Sequence, residues 1–524
     1  MTKEFNITGV CTPELHYMVD ISDKITEIMK LVERGKYFVI HRPRQYGKTS
    51  TLLRLERGLK KNNRYLIIDT TFEGIDAPTY AEQKLFLPVF LDLLRKSLAF
   101  SQENELANLI DSQNPIVDFN GLSNFITAFV QKSGRNVVLL IDEVDKASDN
   151  RLFLDFLGML RAKYLKRIEG KDSTFHSVIL AGVHDVKTLK SQIRPDEEKK
   201  FNSPWNIAVD FKVDLSFFPK EIATMLAQYA AEQQVKLDIP LFSERLYYYT
   251  SGYPFLVSNL CKIIDEEVMA ERTPKEWKPE DLEKAVQITL KQNNTNFESL
   301  ITNLENNADL YQFIFNLVME GSTFAYNSDS PVIHLGEIYG ILREENGLAR
   351  VHNRIYEQRI YNYMASAVKI LSGAQIRNLT DNYIDEKGKL DVQKIFLKYR
   401  DFMNENYSQK DMDFIERNGR LLFLAFIRPI INGRGFDFKE VQISEEKRLD
   451  VVITFDNKKY IIELKIWRGN AYHREGIRQL CDYLDRQNEN HGYLLIYDLR
   501  KESGQTGKLE TIIEEGKTIV AAWV

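Results

Sequence analysis

The chain has 524 residues, which is too long for a single hydrophobic core and indicates about three domains. Its 44% hydrophobic and 28% charged residues are ordinary for a globular protein. Its 70 Lys and Arg residues against 75 Asp and Glu give a net charge of −5, which excludes a globally basic nucleic-acid-binding protein but not a local site for a phosphate backbone.

The three cysteines, Cys11, Cys261 and Cys481, are far apart and match no metal-ligand spacing. We therefore expect neither disulfides nor a structural zinc, as in a reducing cytoplasm. The first residues contain no apolar signal region, and no apolar run reaches transmembrane length. These features predict a soluble cytoplasmic protein with no membrane partner.

The first informative stretch runs from Tyr37 to Leu55. A short apolar run predicts a strand, a polar loop ends in Gly47-Lys48-Thr49, and leucines at helical spacing follow. Strand, loop, Gly-Lys-Thr and helix is the layout of a phosphate-binding P-loop, where backbone N–H groups and the helix dipole favour an anion. We expect Lys48 to reach the β- and γ-phosphates and the Thr49 hydroxyl to bind Mg²⁺.

The P-loop pattern lacks its first glycine, because Arg42 and then Pro43 stand at the start of the loop. The start of the loop must therefore avoid the φ > 0 geometry that glycine usually supplies. The alternative interpretation is a basic turn before an ordinary helix. Under the P-loop interpretation, the nucleotide-binding positions are Arg44, Gln45, Tyr46, Gly47, Lys48, Thr49 and Ser50.

Other periodic segments surround this loop. We expect a helix over residues 22–34 that stops at Gly35, a buried strand over 64–70, and helices within 80–100 and 122–131.

The second informative stretch runs from Asn136 to Asp145, where five apolar residues predict a strand buried on both faces of a parallel sheet. Asp142 and Glu143 follow at its carboxyl end, where doubly wound sheets bind ligands. This is a Walker B arrangement: Asp142 would bind Mg²⁺, directly or through water, and Glu143 would orient the attacking water. A kinase does not need the second acid, so the pair favours hydrolysis of ATP or GTP. The alternative is a solvated acidic turn.

A third buried strand, Ser177 to His184, ends where P-loop ATPases carry a polar sensor of the γ-phosphate. His184 is the candidate sensor, and an ordinary loop residue is the alternative. Arg194, in a polar segment, is a candidate arginine finger, with a solvated loop as the alternative.

The predicted fold class is α/β, and the domains are expected in five segments. Residues 1–215 form a P-loop ATPase core with a parallel sheet, 216–295 a helical lid, and 296–372 a winged-helix-like module with helices over 310–319, 335–343 and 353–367. Residues 373–404 are expected to be a connector, and 405–524 a second α/β domain.

In this last segment, Asp456-Asn457 separates two β-rich runs and predicts a hairpin over residues 448–467. A two-residue loop pairs Phe455 with Lys458, which places Asp450 opposite Glu463 and puts Lys465 on the same face. Two carboxylates and a lysine on one face suit Mg²⁺ and an activated water at a phosphodiester. Surface salt bridges are the alternative interpretation.

Three residues outside the hairpin are candidates to complete this site. Glu416, on a predicted helix, would add a metal ligand, with Glu440 as a weaker alternative. Gln479, on the next helix, would hold the water or a base.

Residues of about 8–370 resemble STAND-related AAA-like ATPase domains, on the motifs His16-Tyr-Met-Val-Asp20, Arg42-Pro-Arg-Gln-Tyr-Gly-Lys-Thr49, Leu140-Ile-Asp-Glu-Val-Asp145 and Ser251-Gly-Tyr-Pro254. The Arg-for-Gly replacement recurs in related domains. The resemblance implies ATP, Mg²⁺ and a nucleotide-controlled conformational switch, often with homo-oligomerisation.

Residues of about 405–524 resemble the PD-(D/E)XK nuclease superfamily (restriction-endonuclease-like), on Glu416, residues 423–433, Asp450, Glu463-Leu-Lys465 and Gln479. The resemblance implies a catalytic core of Asp450, Glu463 and Lys465, with Glu416 and Gln479 accessory. Leu449 replaces the proline of the family's name.

The sequence thus predicts an ATP-binding and hydrolysing switch joined to a Mg²⁺-dependent nuclease that acts on nucleic acid, on DNA in preference to RNA, in defence or in control of mobile DNA. One alternative is a nucleotide-regulated scaffold or nucleic-acid-binding protein whose nuclease-like domain no longer cuts. The other is an ATP-driven motor, which the absence of a second translocation element disfavours.

Overall fold

The computed structural model describes residues 3–147, 150–183, 205, 207–318, 324–372, 383–385, 388–406, 419, 422–424, 426–427, 435–438, 451–455, 458–486, 489–498 and 508–524. The chain forms two compact units. The first comprises Met1–Tyr311 with Phe324–Glu357, and the second Gln312–Thr323 with Gln358–Val524. The division falls inside two helices, Ala308–Val318 and Arg354–Ser372.

The first unit contains a sheet of four parallel strands, β1 to β4, in the order β1-β4-β3-β2. They are β1 (Phe38–His41), β2 (Tyr65–Thr71), β3 (Asn136–Asp142) and β4 (Ser177–Gly182). At the β1 edge, Val209 adds a parallel bridge to Phe38. Parallel strands need crossover connections, and helices supply them here. The α/β class with a parallel sheet is confirmed.

Among the described residues, the helices that flank these strands are α1 (Ser22–Glu33), α2 (Lys48–Leu59), α3 (Gln83–Phe100), α4 (Asn104–Asp111), α5 (Phe119–Ser133) and α6 (Arg151–Ile168). Leu139 and Ile141 of β3 are fully buried and pack in one core with Phe90 of α3 and Phe156 of α6. The predicted strands and helices of this region agree with the structure to within a few residues.

After the sheet, the first unit continues as helices. They are α7 (Pro219–Gln233), α8 (Ile239–Thr250), α9 (Pro254–Ile263), α10 (Pro279–Lys291) and α11 (Thr295–Glu305), with a π-helical turn at Ile264–Val268. Local sequence fixes their starts: the Asp238 side chain accepts the N–H of Leu241, and the Asn294 side chain accepts that of Phe297. Residues 216–295 are therefore mainly helical, as predicted.

The segment around residues 308–357 combines helices with a small antiparallel sheet. The elements are α12 (Ala308–Val318), β5 (Phe324–Ala325), α13 (Pro331–Ile338), β6 (Leu342–Glu345), β7 (Leu348–Val351) and α14 (Arg354–Ser372), with strand order β5-β7-β6. The helix predicted over 335–343 is wrong in its second half, because Gly340 adopts φ +68° and β6 follows. Asn346 and Gly347 both have φ > 0 and close a two-residue hairpin.

The second unit contains helices and a six-stranded mixed sheet in the order β12-β13-β11-β10-β9-β8. Its elements are α15 (Val392–Asn406), β8 (Gly435–Phe438), β9 (Val451–Phe455), β10 (Lys458–Ile466), α16 (Asn470–Arg486), β11 (His491–Tyr497), β12 (Leu509–Glu514) and β13 (Lys517–Trp523). Strands β10, β11 and β13 are parallel, whereas β8, β9 and β12 pair antiparallel with their neighbours.

Helix α15 occupies residues expected above to be part of a connector. Ile395, Phe396 and Tyr399 are fully buried, and the Phe396 ring contacts Phe423 and Tyr493. Residues 392–404 therefore belong to the packed second unit.

The predicted hairpin register is confirmed, because Phe455 pairs with Lys458 and Val451 with Ile462. With period-2 alternation, Ile461, Glu463 and Lys465 share one face of β10, whereas Tyr460, Ile462 and Leu464 share the other.

Candidate functional site

The strand β1 leads into a loop whose last residue caps helix α2. Gly47 adopts φ +78°, and Gln45 is also in the left-handed region, at φ +56°. Because Gly47 has no side chain, it leaves the first N–H groups of α2 without a side-chain cap. Those groups, together with the positive end of the helix dipole, are suited to bind an anion.

The Lys48 side chain is folded back over this loop. Its ammonium donates to the carbonyl oxygens of Arg42 (2.9 Å) and Pro43 (3.0 Å), and only 7% of the residue is exposed. Burial lowers the pKa of Lys48, while the carboxylates of Asp145, Glu143 and Asp142 oppose that shift. The ammonium thus sits at the loop with three acids within electrostatic range.

Thr49 and Asp142 meet at the edge of the sheet. The Thr49 hydroxyl donates to Asp142 Oδ2 at 2.6 Å, and Oδ1 accepts the Glu143 backbone N–H at 2.9 Å. The two residues are 93 positions apart, and only the neighbouring ends of β3 and α2 bring them together. The arrangement places a hydroxyl and a carboxylate side by side at the start of α2.

Glu143 has an unusual backbone conformation, with φ +52°. A non-glycine residue with positive φ costs free energy, and such residues cluster at functional sites. Burial raises the pKa of the Glu143 carboxyl group, and the nearby Lys48 ammonium opposes that shift. The carboxylate therefore lies in the same electrostatic field as the P-loop lysine.

Asp145 connects the acidic turn to the end of β4. Its Oδ2 accepts the backbone N–H of Val183 at 2.6 Å, and a Cβ atom at Gly182 would lie 2.9 Å from Asp145 Oδ1. Gly182 is therefore required for this close approach. Asp145 has no role among the residues predicted above, although its place in the Asp-Glu-Val-Asp run is a signal for one.

The profile of the AAA-like domain family matches residues 17–362. The chain belongs to the AAA-like domain family. The match spans the P-loop, the acids after β3 and the helices that follow, and family membership implies a nucleotide ligand. No curated protein sequence matches the chain.

Solved structures similar to this chain include a Walker-type ATPase of Pyrococcus abyssi, at 11% identity over 68% of this chain and 99% of that chain, with a TM-score of 0.43. They also include the ORC2 protein of Aeropyrum pernix in ADPNP and ADP complexes, at 13% identity over 69% of this chain and 98% of that chain, with a TM-score of 0.36. A third is the RuvB Holliday junction branch migration motor of Thermotoga maritima, at 14% identity over 66% of this chain and 95% of that chain, with a TM-score of 0.34.

Arg42 replaces the first P-loop glycine of the AAA-like domain without a positive φ. Its N–H donates to the Gly182 carbonyl oxygen at 3.1 Å, which extends the pairing of β1 with β4. Its guanidinium donates to the carbonyl oxygens of His41 and Val213, and lies 5.3 Å from the Phe211 ring centroid. The arginine thus ties the start of the loop to the segment that borders β1.

A cleft that is open to solvent adjoins Gly47 and Ser50. Apolar side chains of the amino-terminal segment and the helices form much of its wall: Tyr17, Met18, Val19, Ile21, Met225 and Phe255. Ser50 Oγ accepts the N–H of Cys11 at 3.2 Å, which fixes that segment against α2. The His16–Asp20 motif, which carries part of the family resemblance, lies in this segment.

Tyr46 holds the loop through its side chain. Its hydroxyl lies 2.7 Å from Ser216 Oγ and 3.0 Å from His352 Nε2, and its ring makes an edge contact with Tyr253. The Tyr253 hydroxyl donates to the Arg44 carbonyl oxygen at 2.6 Å. The Tyr46 hydroxyl therefore has its hydrogen-bond partners within the protein, whereas the Arg44 side chain is exposed.

His352 gives this cluster a pH dependence. Burial lowers the pKa of His352 to about 3 from its ordinary 6.5, so the folded protein keeps the ring neutral. Below pH 6.5 only the unfolded chain takes up the proton, so this contribution to stability falls between pH 6.5 and 3. At pH 5 the loss is about 2 kcal/mol. His352→Gln should remove that part of the pH dependence.

The check is urea unfolding of wild type and His352→Gln at pH 7.5 and 5.0, with the exposed His491→Gln as the control variant. The relevant unfolding transition is the one whose midpoint His352→Gln changes. We expect its free energy of unfolding to fall less between pH 7.5 and 5.0 in His352→Gln than in wild type or His491→Gln. Equal pH dependence in all three proteins would contradict the assignment.

The second unit brings together three of the other predicted residues. Lys465 Nζ lies 2.9 Å from Glu463 Oε1 and donates to Gln479 Oε1 at 3.2 Å. Glu463 is buried, with 1% of its side chain exposed, whereas 18% of the Lys465 side chain is exposed. Gln479 Nε2 donates to Glu475 Oε1 at 3.4 Å, which orients the amide. A buried carboxylate and a partly exposed ammonium thus share one face of β10.

His184, Arg194, Glu416, Glu440 and Asp450 lie outside the described residues, so their roles remain predictions. Within the described ranges, no three His, Cys, Asp or Glu side chains cluster as a metal site. In the same ranges, every helix is too short or too polar to span a membrane.

Proposed function

We propose that the AAA-like domain binds ATP with Mg²⁺ at the P-loop and hydrolyses the nucleotide. The observation that carries this proposal is the 2.6 Å contact between Thr49 and Asp142, with Lys48 and Glu143 beside it. The loop N–H groups and Lys48 would bind the phosphates, and the cleft beside Gly47 would take the nucleoside.

The residues present fit a magnesium ion. Mg²⁺ prefers hard oxygen ligands and takes few from the protein, keeping phosphate and water as the others. The Thr49 hydroxyl and the Asp142 carboxylate already converge and would hold it. When bound, the cation would neutralise negative charge that develops on the phosphates.

In this proposal Lys48 exchanges the carbonyl oxygens of Arg42 and Pro43 for phosphate oxygens. The exchange suits its ammonium, because a phosphate anion compensates a buried cation better than two neutral carbonyls do. Glu143 would accept a hydrogen bond from the attacking water and then its proton. Its positive φ and its raised pKa support that role.

Asp142→Asn tests the site through the charge of the carboxylate that would hold Mg²⁺. The substitution keeps the shape of the side chain but removes the charge, so we expect ATP hydrolysis to fall roughly 100-fold or more at fixed Mg²⁺. Asp155→Asn, at an exposed position of α6, is the control. Unchanged hydrolysis in Asp142→Asn would refute the assignment.

A pH profile tests Glu143. Since its pKa is raised above the ordinary 4.5, its carboxylate becomes protonated on acidification at a higher pH than an ordinary glutamate. We expect kcat/KM for ATP to fall with decreasing pH along a limb whose midpoint lies above 4.5. The measurement is kcat/KM from pH 4.5 to 8.5. An activity that stays flat down to pH 4.5 would exclude Glu143 as the base.

We propose that the second unit is a metal-dependent nuclease of the PD-(D/E)XK type. Support comes from the Glu463–Lys465–Gln479 arrangement and from a hairpin register that puts the two charged groups on one face. Lys465 would stabilise negative charge on the cleaved phosphodiester. Glu463 would be a metal ligand with Asp450, and Glu416 and Gln479 would be accessory.

The proposed substrate is nucleic acid, DNA in preference to RNA. The nucleotide bound at the P-loop would control its cleavage, and the chain would function as a homo-oligomer. Incubation of the full chain with DNA and with RNA, with Mg²⁺ or with EDTA, tests the nuclease. Cleavage that EDTA abolishes supports it. No cleavage with any divalent metal would leave the alternative of a nucleotide-regulated scaffold.

A further inference from the structure

The Lys465 side chain packs against helix α16 at Gly476, the position where the helix presents no side chain. A Cβ atom at Gly476 would lie 3.3 Å from Lys465 Cε and 3.5 Å from Lys465 Cγ. Both distances are close to or below ordinary van der Waals contact, so the lysine stem uses the space that the glycine leaves open.

The neighbours of Gly476 on the same helix face also meet this lysine. Tyr472, four residues earlier, has its ring centroid 5.8 Å from Lys465 Nζ and is 42% exposed. Gln479, three residues later, accepts from the same ammonium at 3.2 Å. Residues spaced by three and four lie on one side of a helix. The three residues thus surround the stem and the head of Lys465.

A glycine inside a helix is otherwise unfavourable. Gly476 lies in the middle of α16 (Asn470–Arg486), where alanine would favour the helix more. Gly476 is also buried against the sheet face that carries Glu463. The lower helix propensity of Gly476 is explained if a residue without a side chain is needed there to position Lys465.

We propose that Gly476 is a positioning residue for Lys465, whose bare backbone lets the lysine stem pass and so sets the ammonium between Glu463 and Gln479. This inference rests on the proposed nuclease function of the second unit. A methyl group at position 476 would displace the stem by a few tenths of an ångström, and a bulkier group would displace it further.

The test is a graded series, Gly476→Ala and Gly476→Val, with Ala471→Val as the matched control on the exposed side of the same helix. We expect kcat for Mg²⁺-dependent DNA cleavage to fall roughly 10-fold for alanine and roughly 100-fold for valine, because small misplacements of a charged group are costly. KM should stay within about twofold, and Gly476→Ala should melt no lower than wild type.

A second measurement does not depend on nuclease activity. The rate at which acetic anhydride labels Lys465 is quantified by mass spectrometry, relative to the exposed Lys458. We expect faster labelling of Lys465 in Gly476→Val than in wild type or Ala471→Val. If wild type does not cleave but the labelling changes as expected, the nuclease proposal fails and the positioning survives. Unchanged labelling, or unchanged kcat in a wild type that cleaves, would overturn the positioning.

Discussion

Lys48→Met is expected to abolish ATP hydrolysis, with a fall in kcat/KM of at least about 10²–10³-fold. Methionine keeps most of the buried stem but has no ammonium to place on the phosphates. It also leaves the carbonyl oxygens of Arg42 and Pro43 without the donor that they have in the structure. Nucleotide binding, measured by titration calorimetry with ATP, should weaken together with turnover.

The matched control is Lys60→Met, just after the carboxyl end of the same helix. The Lys60 side chain is 42% exposed, and its ammonium pairs with Glu56 at 2.6 Å and donates to Ser101 Oγ at 3.4 Å. Because these contacts lie at the opposite end of α2 from the P-loop, the loss of Lys60 should change neither binding nor turnover. Thermal melts of both variants separate loss of function from loss of folding. Wild-type hydrolysis by a folded Lys48→Met protein would contradict the nucleotide site.

Glu463→Gln is expected to abolish Mg²⁺-dependent cleavage of DNA, by about 10²–10³-fold or more. The amide keeps the size of a side chain that is 1% exposed, but it removes the negative charge that would bind a cation and that holds Lys465 at 2.9 Å. ATP hydrolysis should be unaffected, because the substitution lies in the other compact unit.

Glu514→Gln, at an exposed position of the edge strand β12, is the control for this substitution. Cleavage rates of both variants are compared on the same DNA with Mg²⁺. If Glu463→Gln still cuts at the wild-type rate, Glu463 and Lys465 form only a structural ion pair.

The functional residues that could be predicted are those whose chemistry depends on neighbouring residues in the chain. Gly47, Lys48 and Thr49 form one turn, and Asp142 follows an unbroken apolar run, so the two halves of the P-loop site could be predicted separately. Their contact at 2.6 Å depends on the order of strands in the sheet, which the sequence does not encode locally. The hairpin register was predictable because a two-residue turn fixes every pair.

The contacts that hold the P-loop were not predictable in this way. Tyr46 meets Ser216 and His352, which lie 170 and 306 residues further along the chain. No local sequence pattern identifies such distant partners. The P-loop pattern also requires no hydroxyl at the position of Tyr46, so it gives no reason to expect these contacts. The contact of the Arg42 guanidinium with the Val213 carbonyl oxygen joins residues 171 positions apart and has no local signal either.

Two errors had signals in the sequence. Asn346-Gly347 is the strongest short-range hairpin signal, yet the segment before it was predicted to be helical. The apolar spacing of Val392, Ile395, Phe396 and Tyr399 is that of an amphipathic helix, yet these residues were assigned to a connector.

The most direct test of the account compares ATP binding and ATP turnover in Glu143→Gln. The glutamine should retain ATP binding close to that of wild type, because Lys48, Thr49 and Asp142 are unchanged. It should reduce single-turnover hydrolysis by about 10²–10⁴-fold, the usual contribution of a general base. Turnover at the wild-type rate by a variant that binds ATP normally would contradict the proposed ATPase mechanism.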